Sequence, residues 1–524
     1  MKTVEDRRLA EDAQRSSYWK RFGPYLAERQ WGTVREDYSA DQNGWSYFPH
    51  TQAQSRAYRW GEDGLLGLAD RQARLCFATA LWNGNDPCLK ERLFGLTGPE
   101  GNHGEDVKEL YYYLDATPTA SYLKALYKYP QERFPYEKLL QEANDRKRDM
   151  KLPEYELVDT GCFTRGYFDM LVEYAKADAE DIIVRFRFTN RGDKRAPLHA
   201  LPTLWFRNTW SWGRNGEGYP SVKPSLERRD ECSIIARHVE LGDYVLQIDS
   251  ATDSLAPELI FTENDTNNAK LFSSANATPY VKDAFHRYVV GGERDAVNPA
   301  GRGTKAAWHW QTELAAGETK QLQLRLTRLD VSKKKRFPKK SVFDDAETVI
   351  TARKSDADEF YEARASAKMN DDEKEVVRQA YAGLIWCKQF YQYVVKDWLE
   401  GDPSQPTPPA GHQSGRNVDW RHAFMRDVLS MPDSWEYPWF AAWDLAFHMI
   451  PFAKIDPTFA KEQLVLMMRE WFMHPSGQLP AYEFNFSDVN PPVHAWACWR
   501  VYKMAAPRGE RDRAFLARTF QKLL

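Results

Sequence analysis

Asp181-Ile182-Ile183-Val184-Arg185-Phe186-Arg187-Phe188-Thr189, closed by Asn190-Arg191-Gly192-Asp193, is the stretch on which the fold turns. From Ile183 it alternates apolar with polar, the period of a strand with one buried face, and the closing tetrad carries turn chemistry. Asp169 to Tyr174 reads as the strand before it and Leu198 to Phe206 as the next one, with Trp308 to Leu314 and Lys320 to Leu326 following later. Short strands with turn signals at this spacing predict a β-sandwich over roughly 155–330. Toward the N-terminus, Leu75 to Trp82 ends in the turn Asn83-Gly84-Asn85-Asp86-Pro87, and Glu109 to Leu114 is rich in β-favouring rings. A charged helix opens that zone.

Toward the C-terminus the period changes. A basic run, Lys333 to Lys340, reads as a solvated loop, and a connecting helix is expected over about 344–367. Val376, Val377, Ala380, Tyr381, Leu384, Ile385, Tyr391, Val395 and Trp398 fall on one helical face. Gly401 to Gly415 is a long Pro/Gly/Ser loop, of the kind that often serves function. Helical patterns resume at Ala441–Ala453, Phe459–Phe472, Val493–Met504 and Glu510–Leu524, so this zone is expected to be all-α. Phe515, Leu516, Phe520, Leu523 and Leu524 form an apolar stripe that needs a partner surface, and no capping residue follows. The expectation is a helical domain cut before it closes.

At 524 residues, two domains or more are expected. The net charge of −3, from 72 basic and 75 acidic residues, offers no electrostatic reason for a nucleic acid or an anionic membrane as partner. No apolar run reaches the length of about 18 residues that a transmembrane helix needs. Met1 to Trp19 lacks the apolar core of a signal peptide. The six cysteines show neither C-x-x-C nor zinc spacing, which predicts reduced thiols and a cytoplasmic protein. Aromatic residues reach 14%, with 19 Trp, through dense packing or through rings that stack on sugars; composition does not choose between them.

The densest chemistry lies in Asp433-Ser434-Trp435-Glu436-Tyr437-Pro438-Trp439-Phe440-Ala441-Ala442-Trp443-Asp444-Leu445-Ala446-Phe447-His448. Asp444 stands among apolar and aromatic neighbours where a helix begins, surroundings that raise a carboxyl pKa. A raised pKa suits a general acid that protonates a departing glycosidic oxygen. The competing reading is a helix N-cap. Trp435, Tyr437, Trp439 and Trp443 offer rings for a sugar face. In Leu479 to Trp496, Glu483, Asn485 and Asn490 offer carboxylate and amide partners for hydroxyls; alternatively this is a buried loop in which Asp488 or Asn490 caps the next helix. Tyr58-Arg59-Trp60-Gly61-Glu62-Asp63-Gly64 and Gly101 to Lys108 read as structural turns, and neither is a phosphate loop. No EF-hand loop is present, and no metal or other cofactor is expected.

Several of these motifs, in order, resemble a prokaryotic glucosidase-like branch of glycoside hydrolase family 63, whose relatives include processing α-glucosidases and hydrolases of mannosylglycerate and glucosylglycerate. They are Glu28 to Ser39, Tyr58 to Gly64, Lys90 to Leu96, Gly101 to Glu109, Ser430 to His448 and Asn485 to Trp496. The resemblance implies an N-terminal β-sandwich (super-sandwich) domain over 1–343, a linker helix over 344–367, and the first part of an (α/α)6 barrel, incomplete, over 368–524. It also implies inversion, with acid and base carboxyls about 6.5–9.5 Å apart around a water. The family's acid lies in an aromatic Trp-Asp motif, which Trp443-Asp444 matches, while its base would fall beyond Leu524. Glu483 is then a substrate or loop residue. Without a base, water attack loses about 10²–10⁴ in rate, so this chain alone is expected to be inactive.

The leading expectation is thus an inverting α-glycosidase acting on a small oligosaccharide or a glycosyl-glycerate. The alternatives are a glycoside phosphorylase, in which phosphate replaces the activated water, and a non-catalytic carbohydrate-binding protein.

Overall fold

A computed structural model of the chain describes residues 2–29, 35–41, 43–44, 47–95, 100, 107–147, 149, 151–249, 257–329, 342–432, 441–479 and 491–524. Two antiparallel sheets carry the front of the molecule. The larger orders its strands Arg302–Gly303, Ser225–Asp230, Ser233–Arg237, Tyr244–Ile248, Thr319–Arg328, Asp181–Asn190, Tyr167–Asp178, Tyr122–Pro130 and Leu110–Ala116. The smaller orders Phe22–Gly23, Leu68–Asp70, Leu75–Trp82, Ala196–Phe206, Lys305–Leu314 and Glu258–Thr262.

The predicted Asp181 strand sits near the middle of the larger sheet, with Phe186 opposite Val172 on one side and Leu322 on the other. Its alternation places Ile182, Val184, Phe186 and Phe188 in the main core. Rings then bridge the two sheets. Phe77 of the smaller sheet lies 6.2 Å from Phe186 and 6.4 Å from Tyr174, and Trp310 lies 5.6 Å from Phe188. The two sheets are therefore layered face to face, as in a sandwich. Ile183 points the other way, yet it is buried, because the Ala346–Glu362 helix covers it with Ala346 and Ile350. That helix accounts for the consecutive Ile182-Ile183 pair, which one-sided burial alone would not require.

Helices dominate after residue 346: Asp371–Trp386, Ala442–Ile455, Pro457–Met467, Val493–Met504 and Arg513–Leu523 follow the connecting helix. The expectation of an all-α zone is corrected here. The helical face drawn from Val376 to Trp398 breaks at Trp386; Lys388–Val394 is instead a strand, paired antiparallel with Phe424–Ser430. Lys388-Gln-Phe-Tyr-Gln-Tyr-Val favours a strand through its rings, and every residue in it is buried. Its partner lies about 36 residues on, beyond the reach of local periodicity. Val376 is also off the buried face, at 69% exposed. In the last helix Phe515 is buried, whereas Phe520 and Leu524 are exposed.

Buried polar contacts tie the helical region to the front. Arg59 Nε donates to Asp402 Oδ2 at 2.6 Å, and Arg59 Nη2 donates to Asp402 Oδ1 at 3.2 Å and to the Tyr219 hydroxyl at 2.6 Å. Arg378 Nε donates to Asp115 at 3.0 Å, and Arg8 and Arg364 pair with Asp356 and Asp6 at 2.6 Å each. All six cysteines are free thiols. No helix among the described residues is long and apolar enough to cross a membrane.

Phe186→Ala is expected to destabilise the protein by about 3–5 kcal/mol, read as a lower urea midpoint, because the bridge between sheets leaves a cavity. Asp402→Ala leaves the buried Arg59 with the neutral Tyr219 hydroxyl and the more distant Asp397 carboxylate, and is expected to cost about 3–5 kcal/mol on the same scale. A midpoint within error of wild type in either variant would contradict the corresponding packing argument.

Candidate functional site

The Ala442–Ile455 helix buries Ala442, Leu445, Ala446, Met449, Phe452, Ala453 and Ile455 and turns its opposite side outward. Asp444 is the third residue of this helix, half-buried, and is not its cap. The N-cap position is held by Ala441, which has no capping side chain. Burial raises the Asp444 pKa, and its own backbone N–H pulls the other way. No other side chain among the described residues bonds to its carboxylate.

Around it the helix spacing gathers rings. Trp443 precedes Asp444, and Phe447 and His448 follow at i+3 and i+4, the positions that share its side of the helix. The Trp443 and Phe447 rings lie 6.4 Å apart, and Phe447 meets Trp496 of the Val493–Met504 helix at 5.7 Å. Trp443 is 37% exposed, Phe447 47%, Trp496 46% and Trp499 49%, so this aromatic surface faces solvent instead of filling the core. His448 Nδ1 lies 3.0 Å from the Ser430 hydroxyl, and the Ser430 backbone N–H donates to Gln463 Oε1 at 3.2 Å. Burial holds the His448 ring down at about 4, so at neutral pH it is an uncharged polar neighbour.

Of the residues singled out in sequence, the structure therefore brings together Asp444 and Trp443. Trp435, Tyr437, Trp439, Glu483, Asn485 and Asn490 lie outside the described residues. The N-cap of the Val493–Met504 helix is Pro492, while Asp488 and Asn490, considered as caps from the sequence, lie outside the described residues. Phe447, His448 and Trp496 were not selected in sequence, although counting three and four positions on from Asp444 marks the first two. The Tyr58–Gly64 motif is structural: the Tyr58 hydroxyl donates to Asp63 at 2.7 Å, Arg92 Nε donates to the same carboxylate at 3.0 Å, and a Cβ on Gly64 would come within 2.7 Å of Ala78. Among the described residues, no group of three or more His, Cys, Asp or Glu side chains could hold a metal ion.

The candidate site is thus a half-buried carboxyl on an exposed aromatic wall at a helix start. Residues 437–524 match the model of the mannosylglycerate hydrolase MGH1-like glycoside hydrolase domain. An uncharacterised Saccharomyces cerevisiae protein, YMR196W, is 44% identical over an alignment of 566 residues that covers 100% of this chain and 51% of that protein. The chain thus spans about half the length of the curated relative it matches. Among solved structures, a polysaccharide lyase matches at a TM-score of 0.19 and 10% identity, over 31% of this chain and 21% of that one. A human-microbiome protein assigned as a kojibiose phosphorylase matches at 0.20 and 9%, over 57% and 34%. Scores this low carry no argument.

The raised pKa of Asp444 makes a stability prediction with a definite sign. The folded state favours the protonated carboxyl, so this group's contribution is greatest below its unfolded-state pKa and declines as pH rises through its folded-state pKa. Asp444→Asn, which stays neutral, is expected to match wild type in thermal midpoint near about pH 3 and to exceed it near about pH 7. A lower midpoint than wild type at the higher pH would mean that the carboxylate is not desolvated.

Proposed function

We propose that the protein is an inverting α-glycosidase, of the α-glucosidase or glycosyl-glycerate hydrolase type, in which Asp444 is the general acid. The observation that carries this reading is the placement of a desolvated carboxyl beside solvent-facing rings within the segment that matches a glycoside hydrolase domain. With burial favouring its protonated form, Asp444 would hand its proton to the glycosidic oxygen as the bond to the anomeric carbon breaks. The flat faces of Trp443, Phe447 and Trp496 suit the apolar C–H face of a sugar ring, and Trp435, Tyr437, Trp439, Glu483, Asn485 and Asn490 are proposed as further substrate contacts. No residue of this chain is assigned as the water-activating base.

The domain reading proposed with it is a sandwich over 1–343, a linking helix over 344–367 and helices of an (α/α)6 barrel over 368–524. The layered sheets and the helices after residue 346 support it. Small neutral or carboxylate-bearing sugars are the proposed substrates and a reducing cytoplasm the proposed setting, in keeping with six free thiols.

The test is sugar release from α-glucosides, mannosylglycerate and glucosylglycerate, with the anomer of the product read by NMR. Asp444→Asn is expected to lower turnover of natural substrates by about 10²–10⁴ and to spare activated aryl glycosides, whose leaving groups depart without a proton. Unchanged hydrolysis of natural substrates would remove Asp444 from this role, and release that requires inorganic phosphate would point to a phosphorylase.

A further inference from the structure

A cleft of about 760 Å³ opens where the end of the leading helix (Val4–Ala13) faces the Lys388–Phe424 hairpin strands and the Pro457–Met467 and Arg513–Leu523 helices. None of Trp443, Asp444, Phe447 or Trp496 lines it. Its floor holds Lys388, which is 3% exposed. Among the described residues this ammonium has neither a hydrogen bond nor an ion pair; its close neighbours are the rings of Phe459 and Phe452, with centroids 4.0 and 4.9 Å away. An unpaired ammonium is costly to bury, and a methionine would fill the same space without that cost. Burial, with Lys20 and Arg71 nearby, lowers the Lys388 pKa to about 7, while the Asp456 and Asp12 carboxylates act in the opposite direction.

The charges at the mouth have a pattern. Lys20 and Lys461 are already neutralised, by Asp456 at 2.7 Å and Asp512 at 2.9 Å. Arg15, Arg71, Arg469 and Arg518 also line the cleft, without an ion pair among the described residues. Against them stand Asp12, Asp427 and Glu462, likewise without an ion pair among the described residues; Asp12 accepts from the Lys20 backbone N–H at 2.9 Å, and desolvation holds Asp427 and Glu462 above the ordinary carboxylate range. Arg71 lies within electrostatic reach of Lys388, Asp427 and Glu462 alike. An inorganic anion would use the cations and be repelled by the carboxylates. A ligand that carries both an anionic group and hydroxyls would use both.

From this we infer that the cleft is a binding site, separate from the Asp444 surface, for a small polyhydroxylated anion such as a sugar phosphate or a sugar acid. Its anionic group lies on Lys388 and Arg71, and its hydroxyls donate to Asp427 and Glu462. The inference does not rest on the glycosidase reading. Titration calorimetry of the 524-residue chain with glucose 6-phosphate, gluconate, glucose and inorganic phosphate tests it and tells the phosphate source from the carboxylate source. One or both organic anions are expected to bind, at least tenfold more tightly than glucose or inorganic phosphate. Lys388→Met is expected to weaken that binding at least tenfold without lowering the thermal midpoint. Glu462→Gln is expected to weaken the organic anion and leave inorganic phosphate unchanged. If Lys388→Met does not fold, Arg71→Gln at the exposed rim serves in its place with the same expected loss. Glucose binding as tightly as its phosphate, no binding of either organic anion, or affinities unmoved by these substitutions would each overturn the inference.

Discussion

One buried guanidinium fixes the loop after residue 400 against the front of the molecule. Arg59 is 2% exposed, shares its hydrogen bonds between Asp402 and Tyr219, and stacks over Trp60 at 4.1 Å. The backbone N–H groups of Arg59 and Trp60 donate to Glu36 at 2.9 and 2.8 Å, and the Trp60 indole donates to the Tyr38 hydroxyl at 3.1 Å. Tyr38 stacks on His412, which stacks on Trp398 at 4.2 Å, and Arg416 reaches back to Asp37 at 2.9 Å. Such a joint is costly to desolvate and gains its value only when every member is present. It therefore selects one placement of the loop after residue 400 against the front motifs.

That joint also explains what the long Pro/Gly/Ser loop does. Gly401 has φ 77°, a left-handed conformation that favours glycine, and its Cβ would strike Pro408 at 2.5 Å. The loop turns there so that Asp402 enters the joint, and the hairpin strands flanking it, Lys388–Val394 and Phe424–Ser430, carry Ser430 to His448 and Lys388 to the charged cleft. The aromatic surface at Asp444 and the cleft floored by Lys388 thus share one support, the small hairpin packed on the Ala442–Ile455 and Pro457–Met467 helices.

Much of the sandwich could be read locally. The Asp181 strand, its turn at Asn190 and the Leu75–Trp82 strand fall where β-favouring runs and turn residues place them, because strand preference and turn chemistry act within a few residues. The Val493–Met504 helix likewise matches its predicted span. The hairpin in the helical zone was not legible, because Tyr391 satisfies helical spacing by coincidence, Val395 and Trp398 fall in the short Val395–Glu400 helix just beyond the strand, and the strand partner lies far along the chain. At the site, the aromatic density around Asp444 was visible, but whether those rings pack inward or face solvent was not.

Side-chain type and spacing by themselves determined a β-rich front, a helical rear, and a lone carboxyl among rings at a helix start, since each depends on interactions within a few residues. Only the tertiary structure decided that Asp444 is not a cap, that Trp443, Phe447 and Trp496 form one exposed wall, and that Lys388 lies unpaired on the floor of a cleft. Those facts depend on which distant surface covers each residue. Desolvation and charge pairing, unlike periodicity, are properties of neighbours that the chain supplies from elsewhere.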